Sequence, residues 1–253
     1  MTWSAQQYSR FEAERTRPVR DLVAAIPNDD VKVAVDLGCG PGNSTEVLAQ
    51  RYAQAQVTGL DSDQDMITAA RKRSPQTAFE LADIANWSPA ARYDVILANA
   101  SLQWLPDHQT LYPRLVDCLA PNGTLAIQTP DNLQEPAHLL AQEVAADARW
   151  GGKLAQVRHH SRHTPQWYYG LLQPHCQHID VWRTTYFHPL EDAQAVVEWF
   201  KGSALRPFLA KLDDSGKAEF LQLYKQRIEQ AYPALPSGTV LLPFPRLFIL
   251  ATR

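Results

Sequence analysis

The chain has 253 residues, of which 45% are hydrophobic and 20% are charged, a composition typical of a folded globular protein and unlike that of a disordered chain. Lys and Arg number 24 against 27 Asp and Glu, so we expect no broad cationic face and neither nucleic acid nor an anionic membrane as a partner. No long apolar run, no apolar signal-peptide core and only three scattered cysteines are present, so we expect a cytoplasmic protein without a disulfide framework.

The first half of the chain alternates short apolar runs with stretches of helical periodicity. The runs predicted as strands are Val31–Leu37, Gln56–Leu60, Thr77–Leu81, Tyr93–Ala98 and Thr124–Thr129. The helix-like stretches between them lie near residues 44–52, 63–73 and 108–119. This alternation is typical of βαβ units, whose right-handed crossovers place helices on both faces of a parallel sheet.

The second half contains two long runs of β-branched and aromatic residues, Ile179–Phe187 and Val240–Ala251. Because proline cannot donate to a strand ladder, the prolines at 243 and 245 predict that the second of these strands begins near Arg246. Residues 190–236 between the two runs show helical spacing, whereas residues 148–165 have no clear period and are predicted to be a loop. A helical block between two strands suits a lid on the sheet.

The loop after the first predicted strand carries the strongest motif, Gly38-Cys-Gly40-Pro-Gly42-Asn43. Its glycines allow a sharp turn and a close approach of a ligand to the main chain. Asn43 is predicted to cap the following helix, where free N–H groups suit polar ligand atoms. The glycine spacing differs from the G-x-G-x-x-G of dinucleotide sites. Asp36, two residues before the first glycine, would repel a pyrophosphate but attract an ammonium.

The segment Asp36-Leu-Gly-Cys-Gly-Pro-Gly42 resembles the first motif of the class I S-adenosylmethionine (AdoMet) methyltransferases. The resemblance implies a Rossmann-like sheet that is mostly parallel with one antiparallel strand, AdoMet as co-substrate, and no metal. It implies that Asp61 binds the ribose hydroxyls, that Asp83 accepts from the adenine amino group, and that Asn99 lies at the methyl-transfer site. The cofactor-binding residues expected at these strand ends are Asp36, Gly38, Gly40, Asp61, Asp83, Ile84 and Asn99.

Segments outside this core resemble the trans-aconitate 2-methyltransferase family nearly end to end. They are residues 8–18, 99–108, 130–136, 181–186, 205–208 and 244–248. The resemblance implies methyl-esterification of one carboxylate of trans-aconitate, giving the monomethyl ester and S-adenosylhomocysteine. It also implies a methyltransferase core of residues 1–189 and 237–253 with a helical cap at 190–236. One departure is Gly202-Ser-Ala204, where a glycine is expected directly before Leu205, in the hinge of the cap.

A carboxylate acceptor is already ionised at pH 7, so its methylation requires orientation and exclusion of water and no general base. The other carboxylates of a polycarboxylate need cations, for which arginine is the best residue. Strand alternation places Arg183 and Arg246 on faces shared with apolar side chains, where a buried guanidinium must meet either an internal carboxylate or a bound substrate. The alternative is an arginine near a strand end that reaches water. Arg206, before Pro207 in the helical block, is a third candidate.

Two aromatic residues are candidates for orienting the acceptor. Trp104 follows the fourth predicted strand, with core packing as the competing interpretation. Tyr8 is a candidate through the resemblance alone, because related enzymes close the methyl site with an N-terminal helix. His108 is predicted to be a helix-start residue. The spacing His159-His160-x-x-His163 invites a metal interpretation, but its irregular surroundings favour no metal.

Other functions remain open at this stage. A malonyl-carrier-protein carboxyl methyltransferase carries a similar first motif but needs a cationic docking face. A lipid or quinone C-methyltransferase needs a wider apolar pocket. An AdoMet-sensing module without catalysis and a nicotinamide oxidoreductase are alternatives of other classes. The expected partner is a small polycarboxylate, and the expected state is a monomer.

Overall fold

The computed structural model describes residues 12–150, 152–154, 156–157 and 162–253, with the backbone alone at Ala13 and Arg15. The strands in this part of the chain are β1 Val33–Leu37, β2 Gln56–Asp61, β3 Ala78–Leu81, β4 Tyr93–Asn99, β5 Leu119–Pro130, β6 His178–Leu190 and β7 Val240–Thr252. They form one sheet in the order β3-β2-β1-β4-β5-β7-β6.

Helices precede or follow most of these strands. They are α1 Glu12–Ala25, α2 Asn43–Arg51, α3 Gln64–Arg73, α4 His108–Asp117, α5 Pro136–Ala145, α6 Pro165–Leu172, α7 Ala193–Lys201, α8 Arg206–Leu209 and α9 Asp214–Ala231. Short 3₁₀ turns lie at Leu102–Trp104 and Ala148–Trp150. The apolar spacing of α7 and α9 is as the sequence predicts. Helices α5 and α6 are not predicted from the sequence, because their short patterns do not stand out from the loops beside them.

The strand pairing confirms the predicted fold class. Strand β1 pairs in parallel with β2 and β4, β2 with β3, and β4 with β5, whereas β5 and β7 are antiparallel. Strand β1 lies between β2 and β4. The chain passes from β1 to β2 and β3 on one side and then crosses back to β4 on the other side. The carboxyl ends of strands at such a switch point form the crevice in which open α/β sheets bind ligands.

The chain divides into two compact units. The first comprises the described residues up to Pro130 together with Arg162–Thr184 and Arg246–Arg253, and the second comprises Asp131–Ser161 and Thr185–Pro245. The predicted cap, residues 190–236, falls within the second unit. That unit also takes in Asp131–Ser161, a segment that the sequence assigns to the core.

Each unit has its own packing. In the first, β1 and β4 are almost fully buried, and α4 covers them with Leu111, Tyr112 and Leu115. In the second, Tyr224 of α9 donates a 2.9 Å hydrogen bond to the Ala137 carbonyl at the start of α5. The burial of apolar side chains, such as those of α4, supplies most of the stability of a helix in a folded protein.

The predicted start of the last strand is wrong. Strand β7 begins at Val240 and runs through both prolines. Its register with β5 begins only where Arg246 faces Pro130. Neither proline therefore has to donate a hydrogen bond to β5, the neighbour on that side of the strand.

Candidate active site

The loop between β1 and α2 has a backbone that only glycine adopts without strain. Gly38, Gly40 and Gly42 have φ angles of 75°, 54° and 94°. Gly38 is also tightly packed, since a Cβ atom built on it would lie 2.3 Å from the Cβ of Ser101. A side chain at this position would displace either the loop or the segment after β4.

Backbone hydrogen bonds attach this loop to the end of β2. The N–H groups of Gly38 and Cys39 donate to the Leu60 carbonyl at 2.8 and 2.9 Å. The N–H of Gly40 donates to Oδ2 of Asp61 at 2.8 Å. The loop and the acidic strand end therefore form one rigid group, which is the preorganisation that a nucleoside site requires.

The predicted helix cap at Asn43 is wrong. Gly42, which has no side chain to act as a cap, occupies the N-cap position of α2, and the N–H of Glu46 donates to the Gly42 carbonyl at 2.9 Å. The left-handed conformation of Gly42 moves the cap one residue earlier than the sequence pattern indicates. Asn43 is the first helical residue, and its buried Oδ1 has no hydrogen-bond partner among the described residues.

Asp36 is fully buried beneath the loop. Its Oδ2 accepts hydrogen bonds from the hydroxyls of Ser44 at 2.6 Å and Thr45 at 2.7 Å, so the carboxylate anchors the first turn of α2. The pKa of Asp36 is raised to about 6, and burial is the largest cause. The two hydroxyl bonds act to lower this pKa, and the charge of Asp61 acts to raise it. The predicted contact between Asp36 and a ligand ammonium stays a prediction.

Asp61 and Asp83 lie at the ends of neighbouring strands. Besides the Gly40 bond, Asp61 accepts from the N–H of Asp63 at 2.9 Å through Oδ1, leaving one lone pair on each oxygen for further donors. Asp83 is exposed just after β3 and accepts from the N–H of Ala85 at 2.9 Å. The next residue, Ile84, is buried against the core. The residues predicted to bind the ribose and the adenine therefore lie side by side at the carboxyl ends of neighbouring strands.

Replacing Asp61 by alanine is expected to weaken AdoMet binding by about 1–3 kcal/mol, the cost of losing charge-assisted hydrogen bonds. Titration calorimetry measures the affinity directly. Asp65→Ala is the matched control, because Asp65 is exposed in the first turn of α3. Equal AdoMet affinity in the Asp61 variant and the wild type would remove Asp61 from the binding site.

The end of β4 adds two further polar side chains. Asn99 is the last residue of the strand, and Ser101 follows Ala100, whose φ of 53° turns the chain sharply. The buried atoms Oδ1 of Asn99 and Oγ of Ser101 have no partner among the described residues. The same holds for Oδ1 of Asp36 and Oδ1 of Asn43.

These four atoms fit the chemistry of AdoMet. Three of them only accept hydrogen bonds, and an edge lined with acceptors suits a ligand rich in donors. AdoMet offers an ammonium, two ribose hydroxyls and an adenine amino group. A pyrophosphate offers no donor and would be repelled by Asp36 and Asp61. The residues present therefore favour the sulfonium nucleoside over a dinucleotide.

Trp104 is 57% exposed at the end of the 3₁₀ turn that follows β4, so the competing interpretation as a core residue is wrong. His108 begins α4, as predicted, and its ring contacts the 3₁₀ turn. Nε2 of His108 lies 2.9 Å from the Leu102 carbonyl, and Nδ1 lies 2.8 Å from the hydroxyl of Tyr168. Burial lowers the pKa of His108, which favours the neutral ring.

The three candidate arginines have different environments. Arg246 is 4% exposed, and its Nη1 donates to Oε1 of Gln128 at 3.0 Å. Arg183 is exposed on β6, the edge strand of the sheet, so its guanidinium can reach water, which is one of the alternatives that the sequence leaves open. Arg206 is half-buried at the start of α8 in the second unit. Tyr8 lies outside the described residues.

No three metal-ligating side chains come together among the residues that the structure describes. His159 and His160 fall outside that part of the chain. The ring of His163 stacks on Trp167 with centroids 3.6 Å apart.

The helices of the described part of the chain are all too short or too polar to cross a membrane.

Two buried glutamines, Gln103 and Gln128, are not predicted from the sequence as site residues. Gln128 lies in β5, and Gln103 of the 3₁₀ turn donates to the Ala100 carbonyl at 2.6 Å and accepts from the Thr129 hydroxyl at 3.3 Å. A signal exists for Gln128, which interrupts the otherwise apolar run Leu125-Ala-Ile127 before Thr129. A polar residue at a buried strand position requires a partner, which is a reason to suspect a site.

Comparison with known proteins places the chain among methyltransferases. Residues 34–123 match the family described as methyltransferase domain. Trans-aconitate 2-methyltransferase from Rhizobium leguminosarum bv. trifolii is 50% identical over 255 residues, which cover all of this chain and all of that protein.

Solved structures show the same fold. The YcgJ protein from Bacillus subtilis has a TM-score of 0.59 at 9% identity, covering 94% of this chain and 98% of its own. Coclaurine N-methyltransferase, bound to N-methylheliamine and S-adenosylhomocysteine, has a TM-score of 0.54 at 14% identity, covering 96% and 72%.

Proposed function

The chain belongs to the trans-aconitate 2-methyltransferase family, and from this premise we propose that it transfers the methyl group of AdoMet to one carboxylate of trans-aconitate. The products are the monomethyl ester and S-adenosylhomocysteine. The observation that carries the AdoMet site is the set of unpaired buried acceptor oxygens around the glycine loop and the end of β4. The acid substrate follows from the 50% identity, over the full length of both chains, with a trans-aconitate 2-methyltransferase.

AdoMet supplies an electrophilic methyl group on a positively charged sulfur. The glycine loop, Asp61 and Asp83 are the groups of this chain that would bind its methionine, ribose and adenine parts. Asn99 ends β4 and Ser101 lies beside Gly38, at the strand ends where we place the transfer. Fixing both partners at this edge replaces a bimolecular encounter by an oriented one, which is a large catalytic effect.

The acceptor needs no deprotonation, since a carboxylate is ionised above about pH 5. The task of the chain is to hold the other carboxylates and to exclude water from the transfer site. Arg246 supports this role because it is buried and because its Nη1 donates to Oε1 of Gln128, which orients the guanidinium. Trp104 and Tyr8 are proposed to orient the acceptor, Arg183 and Arg206 to contact the acid, and the block 190–236 to act as the cap.

The pH dependence of kcat/KM for AdoMet is expected to be flat above about pH 7 and to fall below pH 6. The pKa of Asp36, about 6, lies above its ordinary value of 3.8, so this buried carboxyl is charged above pH 6 and neutral below it. Protonation of Asp36 removes a negative charge that would attract the ammonium of AdoMet.

Initial rates between pH 5 and 9 test this profile. Asp36→Asn is the comparison variant, because an amide oxygen can still accept from Ser44 and Thr45. Its profile should lack the step near pH 6. A steep rise through pH 7 in the wild type would instead indicate a general base, and therefore a hydroxyl or amine acceptor.

Substrate choice is tested with radiolabelled methyl-AdoMet and a panel containing trans-aconitate, a malonyl-carrier protein and a quinone. We expect label in trans-aconitate at a kcat/KM far above that for the other acceptors. Preference for the carrier protein would favour the related carboxyl methyltransferase. Binding of AdoMet with no labelled product from any acceptor would favour a sensing module.

We also propose that the protein acts as a monomer in the cytoplasm. Its three cysteines, Cys39, Cys118 and Cys176, are free, which is consistent with a reducing compartment. Light scattering of the purified protein tests the oligomeric state.

A further inference from the structure

Gln128 occupies a polar position on a buried face of the sheet. It is 1% exposed and lies in β5 directly opposite Asn99 of β4 and Phe248 of β7. Residues paired across strands project to the same face, and Arg246, two residues from Phe248, shares that face. Gln128 therefore connects the predicted methyl-transfer site at Asn99 with the buried guanidinium of Arg246.

The hydrogen bond to Arg246 fixes the orientation of the Gln128 amide. A guanidinium can only donate, so the atom of Gln128 that lies 3.0 Å from Nη1 of Arg246 must be the amide oxygen. The amide nitrogen then points to the other side. This buried Nε2 has no hydrogen-bond partner among the described residues. An unpaired buried donor is costly, and such groups in native proteins call for an explanation.

The neighbouring side chains give this donor an apolar wall. The ring of Phe248 lies next to Gln128 in the register, and Trp182 stacks on it with centroids 4.9 Å apart and planes 7° apart. A donor beside a buried cation and a flat aromatic surface suits a small, flat acid. The same surroundings exclude water, which strengthens the hydrogen bond of the donor to an anion.

We propose that Gln128 is a specificity-determining residue, whose amide N–H donates to a carboxylate of the bound acid while its oxygen holds Arg246 toward the same acid. This inference rests on the proposed function, because it assigns the anion to the acid substrate and not to AdoMet. Gln128 and Arg246 together offer a neutral and a cationic donor, an arrangement that selects a carboxylate over a carboxamide or an ester.

Gln128→Glu tests the proposal with little change of shape. The variant keeps an oxygen for Arg246, removes the donor and adds a negative charge beside the acid. We expect KM for trans-aconitate to rise roughly 100-fold and the calorimetric affinity of the acid for the S-adenosylhomocysteine complex to fall equally, from lost hydrogen bonding and like-charge repulsion. The dissociation constant of AdoMet should change far less than that of the acid, because the Gln128 donor is assigned to the acid and not to AdoMet.

Two companion variants separate specificity from folding. Gln177→Glu makes the same change at an exposed position just before β6 and should leave KM unchanged. Gln128→Met removes both the donor and the oxygen that Arg246 contacts, without adding charge. It should raise KM at least about tenfold, as expected for a lost hydrogen bond to a charged group together with a less well oriented Arg246. In addition, Gln128→Glu should discriminate less than the wild type against an analogue with one carboxylate replaced by a carboxamide.

The proposal is overturned if folded Gln128→Glu binds trans-aconitate with wild-type affinity, or if its defect is confined to AdoMet. Both outcomes differ from failure of the proposed function, which would show as a wild-type protein that does not methylate trans-aconitate.

Discussion

Gly38→Ala is expected to lower AdoMet affinity at least about 100-fold, because the substitution combines a strained backbone with a steric clash. The φ of Gly38 is 75°, and the added Cβ would lie 2.3 Å from the Cβ of Ser101. Relief of this clash must move the loop whose backbone donors meet β2 and Asp61. Calorimetric titration with AdoMet measures the loss, and thermal melting reports whether the fold survives.

Two further variants distinguish the clash from the backbone strain. Gly40→Ala has a positive φ but nothing within 4 Å of the added Cβ, so we expect a smaller loss of affinity. The double variant Gly38→Ala with Ser101→Gly removes the colliding atom and should recover part of the affinity. If Gly38→Ala binds AdoMet as the wild type does, the loop does not form the binding site.

Arg246→Met is expected to raise KM for trans-aconitate about 100-fold or more, because a desolvated charge-assisted pair is worth several kcal/mol. Methionine keeps much of the buried volume of the arginine stem. AdoMet affinity should stay near the wild-type value, since Arg246 lies on β7, three strands away from β1. Steady-state kinetics with each substrate varied separately resolve the two effects.

The control for this variant is Arg92→Met, which removes a positive charge from an exposed position just before β4. It should leave both KM values unchanged. A folded Arg246 variant with normal kinetics for the acid would show that the guanidinium serves an internal partner alone.

The parallel sheet and the AdoMet edge are predictable from the sequence because both depend on local patterns. Strand ends follow from apolar runs: Asp61 directly follows one such run, and Asp83 lies two residues after the next. The Asn43 cap fails because glycine in a left-handed conformation can occupy an N-cap that side-chain preferences assign to asparagine.

The substrate end is less predictable because it depends on which strands are neighbours. Alternation treats Arg183 and Arg246 alike, yet one lies on the edge strand and is exposed, whereas the other lies between β5 and β6 and is buried. Gln128 gains its meaning from Arg246, a partner 118 residues away in the chain. No local pattern reveals a contact of that separation.

The central claim is that this protein methylates a carboxylate of trans-aconitate with AdoMet bound at the ends of β1, β2 and β4. Carbon-13 NMR of the purified protein, trans-aconitate and AdoMet labelled at its methyl carbon tests it most directly. We expect the label to move to a methyl ester while S-adenosylhomocysteine accumulates in equal amount. Labelled AdoMet that persists unchanged beside unmodified trans-aconitate would contradict it.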